Sequence, residues 1–144
     1  MEQTRIVIGG DYQKKVCPLI DEAKSTIEMC MFDWRWYRDS FANPVSIFNH
    51  SLVRAVRRGV QVRVLTNYKE IIELVRSLGI DAKKWPEASL MHSKFLIMDS
   101  KIIVMGSHNI TFSAFTSNME TSVIIESEAQ AEQMREYFNI IWQR

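Results

Sequence analysis

The chain has 144 residues, of which 47% are hydrophobic and 24% are charged, and its formal net charge is +1. This length allows one domain with a core of its own and is too short for two. The small net charge excludes binding of a polyanion through overall charge, so a partner of that kind must be held by a local basic patch.

Predicted strands and helices alternate along the first half of the chain. Apolar residues at three- and four-residue spacing indicate helices, and short apolar runs indicate strands. Asparagine followed by proline is a typical helix start, because the asparagine caps the first turn and proline fits its first position. The elements predicted in this half are a strand at 5–8, a helix at 13–23, a strand at 26–32 and a helix that begins at Asn43-Pro44 and ends at Gly59.

The second half adds further strands and two helices. Residues 60–65 alternate apolar and polar side chains, which predicts a half-buried strand. Asn67 with Glu70, and Ser127 with Gln130, have the spacing of capping boxes and predict the start of a helix at each. The remaining features are a helix end at Gly79, two strands within 91–109 that a turn at 99–101 joins, and a strand at 121–126.

The predicted element order is β-α-β-α-β-α-β-β-β-α. This alternation favours an α/β fold in which a mixed β-sheet is flanked by helices on both faces. We expect residues 1–144 to form a single domain. Cys17 and Cys30 lie among apolar neighbours, so we expect small buried side chains rather than a disulfide or zinc ligands.

No metal site, cofactor or membrane segment is predicted. The three histidines, at positions 50, 92 and 108, have no spacing typical of metal ligands. The first residues lack a basic region followed by an apolar one, and no apolar run approaches the ~20 residues of a membrane span. We therefore expect a cytoplasmic protein.

Segment 91–109 combines apolar strand residues with groups that bind anions and transfer protons. Because side chains alternate along a strand, His92 and Lys94 project from the same face. Antiparallel pairing about the turn brings Ser107 and Asn109 close to this pair. A lysine cation and two neutral donors suit a phosphate, and histidine can attack it or transfer a proton near neutral pH.

A carboxylate is also needed to hold the histidine in one tautomer, by accepting a hydrogen bond from its second ring nitrogen. Glu120, at the start of the next strand, is the better candidate. Asp99 lies an odd number of residues after His92, so on a regular strand its side chain points to the opposite face. A structural role in the turn is therefore favoured for Asp99. Gly106 removes a side chain where another group must approach the backbone.

Together these residues resemble the HKD signature of the phospholipase D superfamily. The matching pattern is His92-x-Lys94-x4-Asp99-x6-Gly106-Ser107-x-Asn109, and Glu120 falls where that family places its histidine-orienting glutamate. The resemblance implies a phospholipase D/nuclease-like sandwich. The single motif is similar to that of the small endonucleases of the superfamily, which work as homodimers. The catalytic roles implied fall on His92, Lys94, Asp99, Ser107, Asn109 and Glu120.

The resemblance also implies a mechanism with two histidines, one from each motif. His92 would attack phosphorus to form a phosphohistidine, while its counterpart protonates the leaving oxygen and then activates water. The sequence contains one H-x-K, so the second copy must come from another chain across a two-fold axis. An acid within the same chain, His108, is the alternative. Because paired lysines replace a cation, activity is expected to survive EDTA.

The loop 33–40 offers weak signals for nucleic-acid binding. Trp34, Arg35, Trp36 and Arg38 follow the second predicted strand, at the end where α/β sheets bind ligands. Interleaved aromatic and basic side chains suit stacking of unpaired bases and contacts with phosphates. The alternative is that the aromatic rings pack within the domain or against a partner subunit.

Three functions are weighed on this basis. The first is a metal-independent endonuclease that cleaves DNA, with RNA as a further substrate. The second is a lipid phosphodiesterase or phosphatidyl transferase, which needs an exposed apolar access surface or an amphipathic anchor, and the sequence shows neither. The third is a catalytically idle nucleic-acid-binding module, and the intact signature argues against it.

Overall fold

The computed structural model describes residues 3–38 and 42–144. Within these ranges, one sheet of seven strands carries α-helices on both faces. The strands are β1 (Gln3–Ile8), β2 (Thr26–Met31), β3 (Gln61–Thr66), β4 (Asp81–Lys84), β5 (Lys94–Met98), β6 (Ile102–Gly106) and β7 (Thr121–Glu126). The α-helices are α1 (Tyr12–Glu22), α2 (Pro44–Arg57), α3 (Ile72–Ser77), α4 (Phe112–Thr116) and α5 (Glu128–Trp142).

The strands follow the order β1-β7-β6-β5-β2-β3-β4 across the sheet. β2, β3 and β4 are parallel, since a helix connects each to the next, and the other neighbours are antiparallel. Met31 pairs with Lys94, so the end of β2 meets the start of β5. Gly106 pairs with Ser122, which places the end of β6 and the start of β7 at the same edge. This edge gathers most of the residues that the sequence pattern singled out.

Each face of the sheet has its own apolar core. One core lies between the sheet and helices α1 to α4 and contains Met29, Val64 and Leu96. The other lies under α5 and contains Phe95 and Phe138. Alternate residues of β5 enter the two cores, which explains why this strand is continuously apolar. The predicted α/β fold with helices on both faces is confirmed.

Two predicted helix starts are confirmed in detail. The Asn43 side chain accepts a hydrogen bond from the Val45 N–H at 2.8 Å, in front of Pro44. The Ser127 hydroxyl accepts one from the Gln130 N–H at 3.2 Å. Each side chain satisfies a backbone donor that the first turn of a helix leaves unpaired.

The predicted capping box at Asn67 is wrong. Tyr68 precedes a short 3-10 turn (Lys69–Ile71) that has no side-chain cap, and the Asn67 amide donates to two backbone carbonyls instead. The predicted element order also lacks β4 and α4. β4 buries only Ala82 among four residues, so it has no apolar alternation to detect, and the five residues of α4 are too few to show helical periodicity.

Gly106 is explained by the neighbouring strand. A Cβ atom on this residue would overlap Ser122 and the carbonyl of Thr121. The close approach expected from the sequence is therefore made by β7. It allows the Ser107 N–H to donate to the Thr121 carbonyl at 2.9 Å, which fixes the backbone directly beyond β6.

The cysteines lie where they are predicted to lie: Cys17 and Cys30 are buried free thiols. In the described ranges, none of the helices combines the length and the apolar character that crossing a membrane requires. Within the same ranges, no three His, Cys, Asp or Glu side chains are grouped in a way that would hold a metal ion.

Candidate active site

An open pocket of about 510 Å³ lies at the sheet edge where β5 begins and β6 ends. His92, Lys94 and Ser107 line it, so these three predicted site residues are brought together. Its other wall is apolar and includes Met105 of β6 with Met134 and Tyr137 of α5. The pocket therefore combines a cation, a hydroxyl and an imidazole with apolar surroundings.

His92 is exposed and lies directly before β5. Its imidazole packs on the Phe32 ring, with 4.9 Å between the ring centroids. The Lys94 ammonium donates to the His92 carbonyl at 2.9 Å and lies 3.3 Å from Nδ1 of the same residue. Because an ammonium group can only donate, Nδ1 is the acceptor in this contact.

Lys94 is held by two neighbouring residues, Phe32 and His92. Its Nζ lies 5.3 Å from the centroid of the Phe32 ring, in addition to its contacts with His92. Burial lowers the pKa of Lys94, and the nearby carboxylate of Glu120 opposes this shift. A partly desolvated cation of this kind interacts more strongly with an anion than a fully hydrated one.

Glu120 is joined to the pocket through Ser107. The Ser107 hydroxyl donates to Glu120 Oε1 at 2.6 Å, and the Asn118 side chain donates to Oε2 at 3.1 Å. The Thr121 N–H donates to the Ser107 hydroxyl at 3.0 Å. In this chain the Glu120 carboxylate therefore orients Ser107, whereas the expected hydrogen bond from His92 is not formed.

Asn109 lies beside the residue that follows Phe32. Its Oδ1 accepts a hydrogen bond from the Asp33 N–H at 3.0 Å, and the chain continues alongside 33–35 through an isolated bridge between Trp34 and Ile110. Since the side-chain oxygen is committed to the backbone, the NH2 group is the end of Asn109 that can donate to an anion.

Asp99 is not brought together with the other predicted site residues. It follows β5 at the end opposite to Lys94, about 16 Å away at ~3.3 Å per residue. Its carboxylate accepts hydrogen bonds from the backbone N–H groups of Lys24, Ser25 and Thr26 at 2.7–3.2 Å. Asp99 therefore joins the β5–β6 turn to the start of β2, which corresponds to the structural role that residue parity favoured.

His108 is buried, and both of its ring nitrogens are occupied. Nε2 lies 2.8 Å from the Gly9 carbonyl and Nδ1 lies 2.7 Å from the Ser122 hydroxyl. A carbonyl can only accept, so Nε2 carries the proton and Nδ1 accepts from Ser122. Burial lowers the pKa of His108, which favours the neutral ring. This excludes the alternative in which His108 is the acid within the same chain.

The aromatic and basic loop after β2 divides into buried and exposed residues. Trp34 is 1% exposed and its indole N–H donates to Asn49 at 2.8 Å, so the expected base-stacking role for Trp34 is wrong. Trp36 is partly buried and packs against the core. The predicted loop residues 39 and 40 lie outside the described residues.

Arg35 and Arg38 remain accessible in this loop. They line a cleft of about 450 Å³ together with Tyr68 and Glu70. The Arg35 guanidinium lies 4.7 Å from the centroid of the Tyr68 ring and pairs with Asp33 at 2.6 Å. The surface next to Asn109 therefore presents the Arg35 guanidinium stacked on the Tyr68 ring.

The sequence pattern missed the residues outside the motif that support His92 or line its pocket. Phe32 is only the last residue of an apolar run, and Asn67 resembles a helix cap. Tyr137 and Met134 belong to an apolar helix face. No local pattern distinguishes these residues, since their contacts are made with distant parts of the chain.

Comparison with curated proteins identifies relatives of similar sequence. The mitochondrial cardiolipin hydrolase of Canis lupus familiaris is 34% identical over 131 residues, which are 84% of this chain and 46% of that protein. A phospholipase D of Rickettsia conorii is 29% identical over 127 residues, which are 83% of this chain and 58% of that protein. The chain thus spans about half the length of the curated relatives it matches.

Solved structures match the fold over nearly the whole chain. Nuc from Salmonella typhimurium, a phospholipase D family member, has a TM-score of 0.86 at 23% identity, covering 99% of this chain and 95% of that one. NucT from Helicobacter pylori has a TM-score of 0.78 at 16% identity, covering 99% and 97%. At these identities the likeness establishes the fold.

A family model described as "Cardiolipin synthase, PLD-like domain" matches residues 16–142. This range contains all five α-helices except the first turn of α1, and every strand except β1. It also contains the histidine, lysine, serine and asparagine side chains at the sheet edge. The chain therefore belongs to the phospholipase D-like superfamily of phosphodiesterases.

Proposed function

We propose that this chain is a nuclease that cleaves phosphodiester bonds within DNA or RNA through a covalent phosphohistidine on His92. The observation that carries this proposal is the convergence of His92, Lys94 and Ser107 on one open pocket, with the Asn109 amide nearby. These groups provide a nucleophile and several donors for a phosphate.

The proposed reaction has two displacement steps at phosphorus. In the first, His92 Nε2 forms a bond to phosphorus and the P–O bond to the leaving alcohol breaks, while His92 of the partner subunit gives that oxygen a proton. In the second, water gives a proton to the imidazole of the partner subunit and attacks phosphorus. The bond between phosphorus and Nε2 of the first His92 then breaks. The Lys94 ammonium and the Asn109 NH2 group stabilise the negative charge on the non-bridging oxygens in both steps.

This reaction requires a rearrangement of the hydrogen bonds around His92. Attack through Nε2 needs a proton on Nδ1, whereas Nδ1 now accepts from Lys94. A bound phosphate attracts the ammonium more strongly than a neutral imidazole does, because the hydrogen bond becomes one between opposite charges. Transfer of Lys94 to the phosphate frees Nδ1. Exchange with solvent then moves the single ring proton from Nε2 to Nδ1, which leaves the Nε2 lone pair free to attack.

A second copy of the chain is proposed to supply the acid. The 144 residues contain a single H-x-K, and the pocket at His92 is open to solvent. Next to this pocket, α5 leaves part of its sheet face uncovered. An apolar strip lies there, made of the strand residues Ile6, Ile8, Met105 and Val123 together with Tyr137 from the bordering helix α5. Ile6 pairs with Val123 and Val123 with Met105, so the strip crosses three strands. Ile6 is 59% exposed and Tyr137 is 49% exposed.

A second copy fits this strip better than another occupant because the strip is continuous with the pocket wall. Met105 and Tyr137 belong to both surfaces. Two copies that bury these side chains around a two-fold axis bring their His92 residues to one shared site. Burial of apolar side chains at ~25 cal/mol per Å² then favours assembly.

The proposal is tested by incubating the purified chain with labelled single- and double-stranded DNA, RNA, and vesicles of cardiolipin or phosphatidylcholine. We expect nucleic acid to be cut internally, and His92→Ala to reduce the rate by about 10⁴-fold or more, since the nucleophile is lost. His50→Ala is the matched control, because His50 is exposed on α2 and contacts the Ser46 carbonyl of its own helix. Equal rates in the two variants would contradict the assignment of His92.

A lipid phosphodiesterase is the second candidate, and one observation favours it. Leu90 and Met119, which are close in sequence to His92 and Glu120, are 63% and 102% exposed. Exposed apolar side chains of this kind are what an access surface for lipid requires. Cleavage of cardiolipin vesicles without cleavage of DNA or RNA in the same experiment would establish this function in place of the nuclease.

A further inference from the structure

We propose that Asn67 and Phe32 are positioning residues for His92 and Lys94. Neither belongs to the sequence signature, and neither lines the pocket. Asn67 joins the two backbone segments that carry Phe32 and His92, and the Phe32 ring then sets where the imidazole and the ammonium lie. This inference concerns the same site as the proposed nuclease and explains how the single chain holds its nucleophile.

Asn67 forms the connection between the two segments. Its Nδ2 donates to the Phe32 carbonyl at 3.1 Å and to the Met91 carbonyl at 2.8 Å. These carbonyls belong to residues 35 and 24 positions away along the chain, respectively. One amide group therefore uses both of its N–H donors to hold the end of β2 beside the residue that precedes His92.

The connection matters because the chain before His92 has no regular structure. Between the end of β4 and the start of β5, residues 85–93 form neither helix nor strand. At its start the Trp85 N–H donates to the Thr66 carbonyl at 2.8 Å, and near its end the Met91 side chain is buried. Between these two points, the Trp85 indole N–H donates to the Ser89 carbonyl at 2.7 Å, which is a contact within the segment itself. The hydrogen bond from Asn67 is the one that fixes the backbone directly before His92.

Phe32 transmits this position to the reacting groups. Its ring packs on the His92 imidazole at 4.9 Å between centroids, tilted by 48°, and lies 5.3 Å from the Lys94 ammonium. The ring face attracts the cation and the ring body limits rotation of the imidazole. A displacement of Phe32 therefore moves the nucleophile and the phosphate-binding cation together.

The positions of the His92 ring protons test the inference independently of catalysis. The aromatic ring current of Phe32 shifts the NMR signals of these protons, which can be recorded on protein with labelled histidine and assigned with His92→Ala. We expect Asn67→Ala and Phe32→Leu to move the His92 signals, and Phe32→Tyr, which keeps the ring, to leave them close to their original positions. The His108 signals provide an internal control in each spectrum.

Catalysis gives the second measurement. Misplacing a reacting group by about 1 Å can cost about 10²-fold in rate, so we expect kcat to fall by this order in Asn67→Ala while KM changes little. Asn43→Ala is the matched control, because it removes an asparagine whose structural hydrogen bond caps α2 and involves none of the pocket residues. It should leave both kcat and the His92 signals unchanged.

Two outcomes would overturn the inference. The first is His92 signals in Asn67→Ala that match the unaltered protein. The second is a loss of kcat no larger than in Asn43→Ala. Should Asn67→Ala not fold, Asn67→Asp keeps the size of the side chain but puts a carboxylate against the two carbonyls, and Phe32→Leu leaves Asn67 intact. A wild-type chain that cleaves no phosphodiester would refute the proposed function, whereas the NMR measurement would still decide the positioning role.

Discussion

His92 and His108 lie at the same edge of the sheet but in opposite surroundings. His92 is exposed beside Phe32 and Lys94, whereas His108 is 1% exposed and bound on both ring nitrogens. Burial disfavours the charged form of His108, so that ring serves as a neutral connection between Gly9 and Ser122. Neighbouring groups, rather than residue type, decide which imidazole is available for chemistry.

Asp99 gives a prediction at this scale. Asp99→Asn keeps the shape and the left-handed backbone that this position requires, since Asp99 has a φ of 53°. It removes the charge that three backbone N–H groups bind. We expect a loss of about 1 kcal/mol in the free energy of unfolding at neutral pH, because the carboxylate is partly solvated. Activity should be unchanged, since Asp99 is remote from His92.

The pH dependence of this loss can be derived from the same hydrogen bonds. Partial burial alone would raise the pKa of Asp99, but the N–H groups of Lys24, Ser25 and Thr26 lower it overall. A lowered pKa stabilises the fold above the unfolded-state value of about 3.9, and this stabilisation disappears as the pH falls further. Denaturation at several pH values should show the difference between Asp99→Asn and the unaltered chain shrinking toward pH 3; a constant difference would contradict this account.

At the scale of elements, α5 is held to the sheet by charges as well as by apolar packing. Glu28 of β2 is fully buried, and its Oε2 lies 3.4 Å from Arg63 of β3 and 3.5 Å from Arg135 of α5. Burial raises the pKa of Glu28, and the two arginines oppose this shift. Because Tyr137 of α5 lines the pocket, this cluster also supports one wall of the site.

Glu28→Gln tests the contribution of this buried cluster. It leaves two partly buried arginines without a counter-charge, so we expect a loss of about 3 kcal/mol in the free energy of unfolding. Glu126→Gln is the control, because Glu126 pairs with Arg5 on the surface at 2.9 Å and such pairs contribute about 1 kcal/mol or less. Urea denaturation of both variants compares the two losses. Similar values would mean that the cluster does not hold α5.

For the whole molecule, the apolar strip and the open pocket predict that activity depends on assembly. We expect Ile6→Glu and Tyr137→Glu to produce monomers without activity, because a buried charge without a partner opposes association. Ile47→Glu, on the exposed side of α2, should leave a fully active dimer. Sedimentation with rate measurements over a dilution series checks this. A monomer that retains full activity would refute the shared site.

The absence of a metal requirement is predicted from the lysines. In the proposed dimer, two Lys94 ammonium groups and the N–H groups of two Asn109 side chains would stabilise the negative charge of the pentacoordinate transition state without a metal ion. We therefore expect the rate to be the same in EDTA as in magnesium. The check is the cleavage rate after dialysis against chelator, and a loss of activity that magnesium restores would show that a cation takes part.

Local patterns in the sequence were sufficient for much of the fold. Apolar runs predict β2, β5 and β7, and the caps at Asn43 and Ser127 predict where two helices begin. These predictions succeed because the interactions involved are formed between residues a few positions apart. β4 and α4 were not predicted, since a short edge strand and a single helical turn depend on neighbours elsewhere in the chain.

The sequence by itself determined the family pattern and the order of elements, because both are written in residue types at fixed spacing. Only the tertiary structure decided that Trp34 is buried on Asn49, that Glu120 binds Ser107, and that Asn67 joins Phe32 to Met91. The physical reason is distance along the chain. Side-chain partners that are tens of residues apart meet only after the sheet has formed. No local pattern encodes which of several polar groups will accept a hydrogen bond from a given donor.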